Sequence, residues 1–523
     1  MNLAQKIGQL LVVGFDGTEV NDHIKNMITT YHVGNIILFE RNYESPKQLF
    51  TLVQDLQKIA IESNGYPLFV TIDQENGIVT RIHDGITVFP GSMAQSAGAT
   101  IEESRKVAQY TGEGLRALGV NFNLAPSVDI NNNPSNPVIG VRSFGETAEQ
   151  VAERSNAYIE GMQETGVIAT AKHFPGHGDT NVDSHLDLPV ISHSKERLEK
   201  VELYPFKEAI KHGVKAIMSA HIKFPAYEPK DLPGTLSYPI LTNLLREELG
   251  YEGIVITDCM EMEAIDTYYG TSKATPMAIA AGADLVCISS SEEKQAKAIS
   301  EIYHALEVGT LTQDRIEQSL SRIMEIKNTY DVDSIINTSY ADVEDKLYRK
   351  EHQDLARKIS NQSITVLKNN GLIPIKAEEI MIIAPSGRVL TGADGVKLAP
   401  NFASYFADKV INKKINVIEL GDSLTDKEIK DITSEAANKE LVIYCTHNAT
   451  LDPRQIELGE GLLSVNKNLI LIPMRIPYDV EKLQGVENCL LPYEYTMNSM
   501  DSLVGVLMGS VEGNSKLPVT INI

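Results

Sequence analysis

Short apolar runs, most of them rich in valine and isoleucine, recur through the first 290 or so residues, each followed by a polar turn and a stretch with helical spacing. The runs are Leu10 to Phe15, Asn35 to Phe39, Leu68 to Asp73, Val120 to Ala125, Val167 to His173, Val214 to His221, Gly253 to Asp258 and Ala283 to Ser289. Their hydrophobicity is continuous rather than alternating, which marks strands covered on both faces. Strand and helix in alternation then imply a parallel sheet. Eight such units favour a (β/α)8 barrel over an open sheet. The intervening helices start where capping chemistry allows: Thr100 with Glu103, and Thr147 with Gln150, each fit a capping box.

The pattern changes after residue 290. Ile316, Leu320, Ile323 and Ile326 fall on one helical stripe that ends near Tyr330. The polar stretch 331–347 reads as a linker. Residues 348–523 then repeat the strand and helix alternation on a smaller scale, with strand candidates Ile380 to Ala384, Asn416 to Leu420, Leu441 to Cys445, Leu469 to Pro473 and Cys489 to Tyr493. The organisation expected is α/β throughout: a barrel over 1–330, the linker, and a C-terminal α/β layered (sandwich) domain.

Composition narrows the function classes. With a formal charge of −23 and no Lys/Arg cluster, the field of the protein repels a phosphate backbone or an anionic membrane surface, so neither nucleic acid nor membrane is expected as a partner. No apolar stretch reaches the length of a bilayer span. Cys259, Cys287, Cys445 and Cys489 stand far apart with no CxxC pair, and the N-terminus lacks a signal-peptide pattern; a reducing, cytoplasmic setting is expected. The chain has no tryptophan. Stacking platforms for long polysaccharides lean on large aromatics, so a carbohydrate site here is expected to be a small exo-acting pocket.

In a barrel, catalytic side chains stand at the C-terminal ends of the strands. Asp73 closes the third run, Lys172 and His173 the fifth, His221 the sixth and Asp258 the seventh. The loop after the fifth run is AKHFPGHGDTNVDSHLDLP, residues 171–189, in which three histidines stand among aspartates. Pro175, Gly176 and Gly178 prevent a helix there. They also break the spacing that would set His173 and His177 on one face as metal ligands, and no Cys or Glu completes a set, so no metal and no cofactor is expected. For His177 and Asp179 a plainer reading stands beside the functional one, as residues that only satisfy the loop's own hydrogen bonds.

KHFPGHGDT with the following DSH, IDQENGIVTR at 72–81, IGVRSFGE at 139–146 and ITDCMEMEAI at 256–265 together resemble the β-N-acetylglucosaminidase branch of family 3 glycoside hydrolases. ARKISNQSITVLKNNGLIPI resembles the start of that family's second domain, so the likeness spans the chain. It implies a retaining exo-β-N-acetylglucosaminidase acting on GlcNAc-terminated disaccharides or muropeptides in cell-wall recycling. Asp258 matches the nucleophile. His185 matches that branch's acid/base, with Asp183 orienting the ring. Asp73, Arg81, Arg142, Lys172 and His173 match sugar contacts.

The residues alone are consistent with this chemistry. A retaining glycosidase needs an ionised nucleophile and a proton donor, and an imidazole beside a carboxylate carries a proton near neutral pH. Three alternatives stay open: a phosphorylase using the same groups, a β-glucosidase of the same superfamily, and a non-catalytic sugar-binding barrel. Two positions carry further expectations. Asn76 stands where the stretch in the resembling family usually has glycine, which points to a tightened mouth or an altered leaving-group side. Cys259, beside the nucleophile, reads as a small buried hydrophobe.

Overall fold

The structure is a computed structural model of residues 1–523 and describes all of them except 181–187, 388, 390 and 396–398. All eight apolar runs of the first domain contain a strand: β1 (Leu11–Val13), β2 (Asn35–Leu38), β3 (Phe69–Ile72), β4 (Phe122–Asn123), β5 (Thr170–Phe174), β6 (Ala216–Ser219), β7 (Ile254–Thr257) and β8 (Val286–Ile288). Every ladder among them is parallel. They form a sheet in the order β4-β3-β2-β1-β8 and another in the order β5-β6-β7. Parallel bridges Phe122–Ile168 and Ile256–Leu285 span the two seams, so each strand has a parallel neighbour on both sides. The seams hold isolated bridges in place of ladders, Phe122–Ile168 and Ser127–Lys172 at the first and Ile256–Leu285 at the second.

Helix starts follow the capping chemistry with one difference. The helix Ile101–Ala117 carries the complete box, Thr100 and Glu103 each satisfying the other's backbone N–H. At the helix Ala148–Glu164, Thr147 accepts from the Gln150 N–H, but the Gln150 amide instead donates to Pro518 O of the second domain at 3.2 Å. On the helix Gln313–Thr329, Ile316, Ile323 and Ile326 are buried and Leu320 is half-buried. The stretch 331–347 lies against the first domain's core through Val332, Ile335, Val343 and Leu347. Gln54 Nε2 donates to Ile335 O and Thr338 O, each at 3.0 Å, and Asn121 Nδ2 donates to Val332 O at 3.0 Å.

Among its described residues the second domain has six strands, β9 (Thr365–Lys368), β10 (Glu379–Pro385), β11 (Lys414–Leu420), β12 (Leu441–Thr446), β13 (Leu469–Pro473) and β14 (Cys489–Leu491), ordered β11-β10-β12-β13-β14-β9. Only β9, absent from the sequence expectation, runs antiparallel. Successive side chains alternate between two cores: Met381, Ile383, Val442 and Tyr444 point to one, and Ile380, Ile382, Leu441 and Ile443 to the other. The first of these cores also takes in Met93, Ala94 and Val141 of the first domain. The domains are therefore joined by shared apolar packing, with a polar pin where Gly91 N–H donates to Glu494 Oε2 at 2.6 Å.

Candidate active site

A cavity of about 410 Å³ opens where the strands of the first domain end. Six residues singled out from sequence line it together: Asp73, Arg81, Arg142, Lys172, His173 and Asp258. Asp183 and His185 lie outside the described residues. A larger cavity, about 870 Å³, lies between the two domains and holds none of those six. The smaller cavity is the one that brings reactive groups into reach of a single ligand, and it falls near the lower end of the roughly 300–1,000 Å³ usual for small-molecule sites.

One wall is a buried charge network. Lys172 Nζ donates to Asp73 Oδ1 at 2.8 Å and lies 2.7 Å from Glu75 Oε1. Arg142 grips the same Glu75 carboxylate with two bonds, Nε to Oε2 at 3.0 Å and Nη2 to Oε1 at 2.8 Å. Burial alone would raise the Glu75 carboxyl, but Arg142 and Lys172 outweigh it and hold it well below the usual range. Burial likewise opposes the Lys172 ammonium, and Asp73 and Glu75 overcome it, so its pKa is raised. Glu75 is sealed at 4% side-chain exposure, whereas Asp73 keeps 16%. The buried part of the network fixes the ammonium, and Asp73 is the carboxylate that can meet a sugar hydroxyl. Arg81 Nη2 stands 3.9 Å from Asp73 Oδ2 and its Nη1 donates to Asp394 O of the second domain at 3.3 Å.

A second wall is organised by Asp129. Its carboxylate accepts the His177 N–H at 2.6 Å and pairs with His173 Nδ1 at 2.7 Å. Burial would raise the Asp129 carboxyl, and the two histidines more than reverse this. His177 is pushed down to about 4, chiefly by burial and then by His173, so it is a neutral ring near pH 7, with Nδ1 3.1 Å from Thr180 Oγ1. Asn136 Nδ2 donates to His177 O and Gly178 O at 2.9 and 2.8 Å. A Cβ on Gly178 would fall 1.8 Å from Ile130 O, so only glycine fits. Residues 177–180, which lead into the segment containing Asp183 and His185, are thus tied to the Asp129 carboxylate and the Asn136 amide and pack closely on Ile130.

Asp258 follows β7 and is half-buried, its Oδ1 accepting the Cys259 N–H at 2.7 Å. Cys259 corrects the sequence expectation: it is half-buried and lines the cavity, with Sγ 2.8 Å from Ser289 Oγ. His221 is a support and does not line the cavity. Its Nε2 lies 3.0 Å from Cys259 O and its Nδ1 2.8 Å from Thr235 Oγ1. Asn76 departs from expectation as well. With φ of 73° it takes the left-handed turn that asparagine tolerates, and its amide donates to Thr111 Oγ1 at 3.1 Å and accepts from the Phe89 N–H at 3.3 Å. It is bonded away from the cavity and does not tighten the mouth.

Among the described residues one group, Asp179, His193 and Glu202, has ligand atoms within 4.8 Å of one another, of types that hold a metal ion. It does not line the cavity, and its closest pair, His193 Nε2 and Asp179 Oδ2 at 2.6 Å, stands at hydrogen-bonding distance.

The sequence reading missed four contributing residues. Glu75 follows Asp73 by two residues, a carboxylate at the end of the same run and the one signal that could have marked it. Asp129 lies four residues beyond the end of the fourth apolar run. Gly392 and Ala393 reach the cavity from the second domain, and no spacing in the sequence connects them to it.

Comparison with known proteins accords with this geometry. Residues 2–326 match the family described as the glycosyl hydrolase family 3 N terminal domain. A beta-hexosaminidase A of Pseudoalteromonas piscicida is 30% identical, over 97% of this chain and 92% of its own. A solved family 3 beta-N-acetylglucosaminidase from Paenibacillus sp. str. FPU-7 superposes with a TM-score of 0.93 at 41% identity, covering 99% of each chain. A beta-N-acetylhexosaminidase from Beutenbergia cavernae, 28% identical, covers 63% of this chain and 99% of its own with a TM-score of 0.59. With the strand-end cavity, its charged wall and these likenesses in hand, the chain belongs to glycosyl hydrolase family 3.

Proposed function

We propose that this protein is a retaining exo-β-N-acetylglucosaminidase. The observation that carries the reading is the position of Asp258, a half-buried carboxylate in the same small cavity as the Asp73–Lys172–Glu75–Arg142 network. A terminal sugar whose hydroxyls engage Asp73, Lys172 and Arg81 would present its anomeric carbon to Asp258. The carboxylate attacks that carbon while His185, oriented by Asp183, donates a proton to the glycosidic oxygen. The C–O bond breaks, the alcohol leaves, and a glycosyl ester of Asp258 remains. Neutral His185 then takes a proton from water, which attacks the ester and releases the sugar with its configuration retained. The names of the relatives, beta-hexosaminidase and beta-N-acetylglucosaminidase, support a 2-acetamido sugar.

The natural substrate in this reading is a GlcNAc-terminated disaccharide or muropeptide formed in cell-wall recycling. The small cavity and the lack of tryptophan support a short substrate over a polymer. Four cysteines with no disulfide support a reducing, cytoplasmic location. The test is hydrolysis of p-nitrophenyl β-N-acetylglucosaminide against the corresponding glucoside, with and without phosphate. Free N-acetylglucosamine as main product, and a slow glucoside, are expected. A faster glucoside, or a sugar 1-phosphate as main product, would overturn the assignment.

A further inference from the structure

Among the described residues, the second domain touches the cavity through the turn Thr391–Gly395. Gly392 and Ala393 line the sugar-sized cavity, while Asp394 and Gly395 line the larger cavity between the domains. The turn is therefore a partition with space on both sides, and packing alone does not fix it. Its internal bonds are local: Thr391 N–H and Oγ1–H donate to the Asp394 carboxylate at 3.2 and 3.1 Å. Among the described residues, attachments reach the turn from two sides. Arg475, just after β13, donates from Nη1 and Nη2 to Asp394 Oδ2 and Oδ1 at 2.8 and 2.9 Å, with side-chain exposures of 5% and 4%. On the first-domain side, Gly395 N–H donates to Ile78 O at 3.0 Å, and Arg81 Nη1 donates to Asp394 O at 3.3 Å.

The geometry points to Arg475 as a positioning residue for the sugar site: through its two-bond grip on Asp394 it sets the turn that closes one side of the cavity, and with it the Arg81 guanidinium facing Asp73. This rests on the reading of that cavity as the sugar site. Arg475 itself does not line the sugar cavity, so its effect is on binding through the turn and Arg81 rather than on the chemistry at Asp258. A guanidinium forms two parallel bonds to a carboxylate and an ammonium does not, so lysine should replace it only in part. Removal takes away both of the Arg475 bonds to the Asp394 carboxylate, and with them the attachment of the turn to the segment after β13. Displacements of about 1 Å at a binding site are enough to change rates roughly a hundredfold.

The experiment is steady-state kinetics of the full chain on p-nitrophenyl β-N-acetylglucosaminide for wild type, Arg475→Ala, Arg475→Lys, Asp394→Asn and the Arg475→Ala/Asp394→Asn pair, with melting temperatures for each. Expected is a KM raised roughly ten- to a hundredfold with kcat changed far less. Arg475→Lys should fall between wild type and alanine, and the double variant should be no worse than the worse single one. Should Arg475→Ala not fold, Arg475→Lys and Asp394→Asn carry the same test. An unchanged KM in folded variants, or a kcat that falls with melting temperature while KM stays put, overturns the inference. Wild type inactive on this glycoside would instead refute the proposed function.

Discussion

Glu75→Gln is the sharpest structural perturbation of the charged wall. Wild-type Glu75 accepts two bonds from Arg142 and lies 2.7 Å from Lys172 Nζ, all three side chains being at most 4% exposed. Glutamine keeps the volume and one acceptor oxygen but removes the charge, leaving buried Lys172 with Asp73 as its bonded carboxylate and buried Arg142 with only the weaker attraction of Asp129 and Asp73. Breaking a buried ion pair by removing one partner costs about 3–5 kcal/mol. In a domain of this size that corresponds to a loss of roughly 4–7 °C in melting temperature. The assay is calorimetric unfolding at pH 7, beside the Arg142→Gln and double variants. Glu75→Gln/Arg142→Gln is expected to recover at least about 1 kcal/mol relative to the sum of the single losses, because both halves of the pair are then gone. The pH dependence has a definite sign. The folded-state pKa of Glu75 is depressed, so its contribution is present above the unfolded value and lost as pH falls through the folded one; the gap between wild type and Glu75→Gln should narrow in acid. Strictly additive losses, or a single variant within 1 kcal/mol of wild type, would refute this account of the wall.

His177, held down to about 4, should contribute stability that is complete above its unfolded pKa of about 6.5 and is lost as pH falls from there to about 4. This amounts to at most about 3 kcal/mol, and denaturant titrations at pH 7 and pH 4.5 should find most of the loss abolished in His177→Asn. Gly178→Ala places a methyl group against Ile130 O, so residues 176–180 must shift; a destabilisation of roughly 1–3 kcal/mol and a lower kcat are expected, and wild-type kinetics in that variant would show the contact to be unimportant.

Much of the fold was legible because the barrel-type units bury both faces of every strand, and continuous Val/Ile runs announce that arrangement residue by residue. β9 was not, because TVLK is short, directly follows a helix and pairs with β14 across more than a hundred residues. The reach from Asp73 to Lys172 was foreseeable, since both stand near the C-terminal ends of apolar runs that form parallel strands. The part of the site that could not be read is the part made by long-range contact. Asp129 acts by catching His173 and His177 from another loop, and Asp394 meets Arg81 only once the two domains have packed. Asn76 and Cys259 were misjudged for a related reason: sequence placed both near the mouth but could not say which way either side chain turns.

The central claim is that Asp258 forms a covalent glycosyl intermediate. The most direct measurement is the product formed by Asp258→Ala on p-nitrophenyl β-N-acetylglucosaminide with and without azide, and with EDTA in parallel wild-type assays. The account requires a rate loss of at least about a thousandfold, its rescue by azide as the α-glycosyl azide, and wild-type activity indifferent to EDTA. Substantial hydrolysis by the variant without azide, or wild-type activity abolished by EDTA, would contradict it.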